Sequence, residues 1–251
     1  MTNDNTRIAL ITGASRGLGR SMAIALARKG VDVIGTYHSN TEEAATVEAL
    51  GRKATMLQLD TSDAASFPAF AERLQQALAE GWERSHIDYL VNNAGIGVHA
   101  SFAETTEVDF DRLMNIHLKG VFFLTQRLLP QIADGGRIVN LSSGLTRFSL
   151  PGYAAYAAMK GAVEVLSRYL AKELGPRGIA VNTIAPGAIE TDFNGGAVRD
   201  NRQLNDFISS VTALGRIGQP DDIGPAVASL LTEDNRRITA QRIEVSGGMF
   251  V

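Results

Sequence analysis

Seven short, almost continuously apolar runs are spaced along this chain, with longer stretches of helical periodicity between them. The runs are "RIALIT" (7–12), "VDVIGTY" (31–37), "KATMLQLD" (53–60), "IDYLVNNAG" (87–95), "GRIVNLSS" (136–143), "IAVNTIAPG" (179–187) and "QRIEVSGG" (241–248). Helical patterns cover 18–29, 42–50, part of 63–80, about 106–132 and about 152–175, and another begins at "PDDIGPAVASLL" after Gln219. Strands without polar alternation are buried on both faces, and strands that alternate with helices pair in parallel. The expectation is an α/β protein: one domain over 1–251, a doubly wound parallel sheet of about seven strands, helices on both faces. A loop-rich stretch over 187–215 is read as a lid. Ligands of such sheets bind at the carboxyl ends of the strands.

Composition removes several function classes. A net charge of −3 makes no electrostatic case for nucleic acid or an anionic membrane surface. The absence of cysteine removes disulfides, thiol nucleophiles and thiolate metal sites. No His/carboxylate spacing resembles a metal ligand set. The polar start "MTNDNTR" lacks the apolar stretch of a signal peptide, and no apolar run approaches the ~20 residues of a membrane span. These features fit a cytoplasmic enzyme.

The turn "TGASRGLG" (12–19) follows the first strand and opens a helix. Gly13, Gly17 and Gly19 let the backbone turn sharply and approach a ligand, and the helix N-terminus offers N–H groups to a pyrophosphate. The spacing is G-x-x-x-G-x-G, distinct from the general dinucleotide fingerprint. "GASRG" (13–17) also matches the hydrolase nucleophile elbow, with Ser15 as nucleophile. That triad ends in a late histidine, and the four here are His38, His86, His99 and His117, none beyond 117. Ser15 is therefore expected to hydrogen-bond within the turn or to phosphate.

Further motifs follow in order: "NNAG" (92–95), Ser142–Ser143, "YAAYAAMK" (153–160), "PGAIET" (186–191) and "SGG" (246–248). Together they resemble the short-chain dehydrogenases/reductases, in the branch of about 250 residues, over nearly the whole chain. The look is that of the 3-oxoacyl-carrier-protein reductase group. The resemblance implies a Rossmann fold, a nicotinamide dinucleotide, and hydride transfer involving a ketone or secondary alcohol. Such a reaction needs a proton donor at the carbonyl oxygen. Tyr156 and Lys160 are i and i+4, about 6 Å apart along one helix face, whereas Tyr153 lies about 10 Å from the lysine. The family's Y-x-x-x-K pattern is met only by Tyr156. A nearby ammonium is expected to lower the phenol's pKa. By resemblance Lys160 also holds the nicotinamide ribose, and Ser143 is the family's serine, able to donate to the developing oxyanion. In "MNIHLKGVF" (114–122) the family's asparagine position is His117. There the family uses a backbone carbonyl to hold a water leading to the lysine; an imidazole would add a titrating group.

An NAD enzyme usually carries an acid at the end of strand two. Asp32 sits at the strand's start, ~16 Å from the ligand edge. By family register the deciding position is Tyr37. Arg16 would meet a 2′-phosphate, helped by His38 and Ser39, so NADP(H) is favoured, with NAD(H) the alternative. The same register places Asp60 and Thr61 at adenine, and Gly13 to Gly19 with Leu18 at the pyrophosphate. Asn92, Ala94 and Gly95 would line the cofactor, with Pro186, Gly187, Ile189 and Thr191 near the nicotinamide. Leu145, Phe148, Tyr153 and Phe193 suggest an apolar substrate pocket. The run "LLPQIADGG" lacks the basic residues that carrier-protein reductases show near the entrance, although Arg177 remains. A small or general ketone is thus preferred to a carrier-bound thioester. Two alternatives stay open: an NAD-dependent secondary alcohol dehydrogenase, and a non-catalytic dinucleotide-binding module. Family members are commonly homotetramers.

Overall fold

The β-branched and aliphatic runs form one parallel sheet of seven strands in the order β3-β2-β1-β4-β5-β6-β7. The computed structural model describes residues 6–39, 50–232 and 235–251. The strands are β1 (Ile8–Ile11), β2 (Asp32–Tyr37), β3 (Ala54–Gln58), β4 (Ile87–Asn92), β5 (Ile132–Leu141), β6 (Ala180–Pro186) and β7 (Arg242–Val245). The order reverses at β1, which pairs with β2 on one side and β4 on the other. A crevice opens at such a reversal, beyond the strands' carboxyl ends.

The longer helices among the described residues are α1 (Gly17–Arg28), α2 (Phe67–Trp82), α3 (Glu107–Met114), α4 (Gly120–Leu128), α5 (Ala154–Leu174), α6 (Arg202–Ser210) and α7 (Pro220–Thr232). On one face of the sheet Met22 and Leu26 of α1 and Ile223, Val227 and Leu231 of α7 pack on Ala9, Ile11 and Val91. On the other, Phe70, Leu74 and Leu78 of α2, Leu124 of α4 and Ala171 of α5 pack on Ile8, Leu10, Leu90 and Ile138. The alternate residues of β1 thus serve opposite layers, as period-2 geometry requires.

The helix expected over 106–132 differs in two ways. Thr106 caps α3, accepting from the Asp109 N–H, but a π-helical turn over Asn115–Lys119 interrupts the run before α4. The α-helix also stops earlier, at Leu128, and a 3-10 turn over Leu129–Gln131 leads directly into β5 at Ile132. The stretch read as a lid contains a helix: α6 is capped by Asn201, whose side chain accepts from the Leu204 N–H. The helix expected at 42–50 falls almost wholly outside the described residues.

Candidate active site

The glycine turn is built as its sequence requires. Gly13 and Gly17 have φ of +67° and +53°, which disfavour any side chain. A Cβ at Gly19 would collide with the Gly13 carbonyl oxygen. The turn is then tied to the end of β4. Asn93 Nδ2 donates to the carbonyls of Thr12 (2.8 Å) and Gly13 (3.1 Å), and Thr12 Oγ1 accepts from the N–H groups of Asn93 (2.9 Å) and Ala94 (3.0 Å). The Gly13 N–H donates to Thr36 Oγ1 at 3.1 Å. No side chain caps α1, and its first turn holds no acid. The turn therefore fits a pyrophosphate: a rigid glycine cradle beneath an uncapped helix N-terminus.

Around it stand the residues expected to reach the rest of a dinucleotide. Arg16 occupies the N-cap position, largely exposed, with its guanidinium 3.7 Å from Asp192. Tyr37 ends β2; His38 and Ser39 follow, exposed. His38 Nε2 lies 3.7 Å from Asp60. Burial alone would raise the Asp60 pKa, but hydrogen bonds from Ser62, with His38 alongside, outweigh it and the carboxyl is held below its ordinary value. Thr61 backs onto the start of α4, where its carbonyl faces Gly120. Asp32 is structural: Arg52 Nε (2.8 Å), the Lys53 N–H (3.1 Å) and Trp82 Nε1 (2.8 Å) all donate to it.

The Asn92 side chain faces the interior. Asn92 is buried, and its Nδ2 donates to Asn140 Oδ1 (2.8 Å) and Thr125 Oγ1 (3.0 Å) within the sheet–helix layer. The side chain that reaches the glycine turn is that of the neighbouring Asn93, just beyond the end of β4. At the far side of the crevice a Cβ on Gly187 would press on Ser246, so the β6 exit passes tightly over the β7 turn beyond Pro186. Ile189 bridges to Gly218, and Thr191 lies beside Gly17.

Tyr156, Lys160 and Ser143 come together. Helix α5 brings both of its residues under the end of β5, and both are buried. Lys160 Nζ donates to the Leu141 carbonyl at 2.7 Å and lies 5.7 Å from the Tyr156 ring centroid. The electrostatics differ from the expectation that lysine would lower the phenol's pKa. Burial pushes the Tyr156 phenol up, well above its ordinary value, and the Ser143 hydroxyl hydrogen-bonded to it pulls the other way. Burial also pushes the Lys160 ammonium down to about 7. Desolvation dominates because both groups are enclosed. The result is a phenol held protonated.

His117 joins this group through the π turn, whose closing bond runs from the Gly120 N–H to the Asn115 carbonyl. Its ring meets the Tyr156 ring edge-on, centroids 5.1 Å apart. Nε2 lies 2.8 Å from the Ile96 carbonyl oxygen and 3.2 Å from the Ile96 nitrogen, while Nδ1 is buried without a partner among the described residues. A Cβ on Gly95 would come within 2.6 Å of the ring, so glycine there makes room for the imidazole. Burial, then the Lys160 charge, push its pKa well below 6.5; a hydrogen bond from the ring to the Ile96 carbonyl opposes them. The imidazole is neutral.

The substrate-side expectations separate. Phe193 reaches the site, its ring 5.7 Å from that of Tyr156. Tyr153 stands at the mouth, one turn before Tyr156, edge-on to His99 at 5.0 Å and accepting from Asn194 Nδ2 at 3.3 Å. His99 and Asn194 carried no sequence signal. Leu145 packs beside Leu113, Tyr156 and Met159. Phe148 leaves the pocket: it stacks on Phe250 at 4.9 Å, with Ile208, Ile217 and Met249, in a separate apolar cluster. The C-terminal aromatic that captures it is about a hundred residues away in sequence.

A family model described as enoyl-(acyl carrier protein) reductase matches residues 13–250. An uncharacterized oxidoreductase of Methylorubrum extorquens is 38% identical over 247 residues, covering 97% of each chain. Among solved structures, the promiscuous reductase LugOII, which catalyses keto-reduction at C1 during lugdunomycin biosynthesis, has 37% identity and a TM-score of 0.92, covering 98% of both chains. The angucycline C-6 ketoreductase LanV with bound NADP has 36% identity and a TM-score of 0.92, over 97% of this chain and 95% of that one.

Proposed function

This chain belongs to the short-chain dehydrogenase/reductase family, and from that premise we propose that it is an NADP(H)-dependent ketoreductase whose substrate is a fused-ring aromatic ketone. One observation carries this reading: the Tyr156 phenol, the Ser143 hydroxyl hydrogen-bonded to it and Lys160 one turn on are buried together at the end of β5. A phenol is protonated at neutral pH and has a proton to deliver to a ketone oxygen. The nicotinamide, when bound, supplies the hydride. Ser143 and Tyr156 hydrogen-bond the substrate oxygen, and Tyr156 releases its proton to that oxygen as it gains charge. Phe193 shields the phenol from water. A protonated Lys160 would stabilise the phenolate that is left.

The 2′-phosphate preference is supported by the non-acidic Tyr37, by Arg16 beside the glycine turn, and by the NADP bound to the similar LanV. The ring-shaped substrate is supported by the aromatic mouth of Phe193, Tyr153 and His99, by the angucycline on which the similar LanV acts, and by the hydroxynaphthalene in the name of a reductase-like protein of Metarhizium brunneum that is 33% identical. Self-assembly into a homotetramer is part of the same reading: Phe122 and Phe123 on α4 and Val165 and Tyr169 on α5 are large, apolar and exposed.

The test is a panel of α-tetralone, a β-ketoester and an acyl thioester, assayed with NADPH and with NADH for wild type, Tyr156→Phe and Tyr153→Phe. Tetralone should be the best substrate and NADPH the better cofactor. Tyr156→Phe should lose most turnover while NADPH affinity holds; Tyr153→Phe should lose far less. Equal losses would refute the assignment of the acid, and a preference for NADH with an alcohol would favour the NAD-dependent dehydrogenase.

A further inference from the structure

Beneath the Ser143 turn lies an ion pair that joins distant parts of the chain. Glu164 follows Lys160 by four residues and Tyr156 by eight, so α5 carries all three on one side. Its Oε1 accepts three hydrogen bonds: from Ser142 Oγ at 2.6 Å, Thr146 Oγ1 at 2.7 Å and Arg242 Nε at 2.8 Å. Arg242, on β7, also donates to the Ser143 carbonyl at 3.3 Å and to Glu244 at 2.8 Å. Glu244 in turn receives both arms of Arg147 (2.8 and 2.6 Å), whose guanidinium also reaches the Met249 and Phe250 carbonyls. Glu164 and Arg242 are mostly buried, their side chains 13% and 24% exposed. Two carboxylates and two guanidiniums alternate, so the buried charge is balanced.

The placement of these bonds matters more than their number. They take the hydroxyl of the residue before Ser143, the carbonyl of Ser143, and the hydroxyl three residues after it. The hydroxyl of Ser143 alone is left to the site, braced by the Leu145 N–H at 3.2 Å. The anchor for this turn is the helix that bears Tyr156. We propose that Glu164 and Arg242 are positioning residues that act through Ser143, clamping its turn to α5 so that the serine and tyrosine hydroxyls converge on one substrate oxygen. A hydroxyl displaced by even about 1 Å loses most of its value to a transition state.

The inference rests on Ser143 and Tyr156 being the reductive pair, and the experiment separates the two claims. Ketone turnover, KM, NADPH affinity and thermal midpoint are measured for Glu164→Ala and Glu164→Gln, each in the wild-type and Ser143→Ala backgrounds. Glu164→Ala should lower kcat about ten- to thirtyfold, the scale of one misplaced charge-assisted contact, with NADPH affinity unchanged. Glu164→Gln retains the acceptor oxygen and should recover to within about threefold of wild type. With Ser143 already alanine, Glu164→Ala should cost less than about twofold, because residues acting as one unit are not additive. An equal loss in both backgrounds would mean a general structural role and overturn the clamp, as would an unchanged kcat or a loss confined to NADPH affinity. Arg242→Met, on the strand side of the pair, gives the same reading should Glu164→Ala fail to fold. Wild-type protein that reduces no ketone would remove the reductive pair and the clamp together.

Discussion

At the scale of single residues, burial decides charge. An imidazole at position 117 adds a group able to titrate near neutral pH, yet the enclosure of His117 beside Lys160 favours its neutral form. The side chain is held by the Ile96 backbone and does not depend on protonation. His117→Asn should therefore stay active within about tenfold, the scale of one or two neutral hydrogen bonds. Its kcat profile from pH 5.5 to 9 should superimpose on that of wild type; complete inactivity would make the imidazole essential. Stability should behave otherwise. A histidine whose folded pKa is depressed binds no proton in the native state while the unfolded chain does below about 6.5, so stability falls as pH falls through that value. Thermal midpoints at pH 7 and pH 5.5 should drop more for wild type than for His117→Asn. Arg16 offers a second case. Exposed and paired only loosely with Asp192, it is free to turn toward a 2′-phosphate. Arg16→Ala should weaken NADPH about ten- to hundredfold, as expected for a charge-assisted contact, and leave NADH nearly unchanged. Binding titrations with both nucleotides decide it, and an unaltered preference would place discrimination elsewhere.

At the scale of elements, close approach sets what each helix can carry. Helix α1 leans on α7 where Gly224 faces Ser21; a Cβ there would fall 2.6 Å from the Ser21 carbonyl oxygen. Ser21 Oγ also donates to Asp221 at 2.7 Å, locking the two helices at that point. Gly224→Ala should cost about 1–3 kcal/mol, the range for overpacking a filled site. Because the N-terminus of α1 is the proposed pyrophosphate site, NADPH affinity should fall with it. Urea denaturation and nucleotide titration of the same variant test both effects, and an unshifted midpoint would show that the helices part freely. The π turn at Asn115–Lys119 is the other element-scale feature, and hydropathy gave no sign of it. It adds one residue to a turn without changing which residues are apolar, so periodicity shows a continuous helix, while the extra residue swings His117 inward.

At the scale of the molecule, two packed layers leave apolar side chains without cover. Tyr169 is 65% exposed on α5, and Phe122 and Phe123 on α4 are each about two-fifths exposed. Burial against another copy would remove that surface from water. Sedimentation velocity should show an oligomer for wild type and a smaller species for Tyr169→Glu, since a carboxylate in an apolar contact is costly. Monomeric wild type would rule the assembly out. The same scale explains the reach of the Ser143 support, which draws on residues 142, 146, 164, 242 and 244 from three separate stretches of chain.

The sheet, the glycine turn and the Tyr156–Lys160 spacing were legible in the sequence because each is a local property. Hydrophobic period, positive-φ glycines and an i,i+4 interval are written in neighbouring residues and survive any packing. Tertiary structure alone decided the rest. It sent Phe148 to Phe250, turned Asn92 into the interior and Asn93 to the glycine turn, and joined Glu164 to Arg242. It also shifted the pKa of Tyr156 upward and those of Lys160 and His117 downward, through burial. Desolvation and long-range pairing depend on what the fold brings from elsewhere, and no stretch of sequence holds that information by itself.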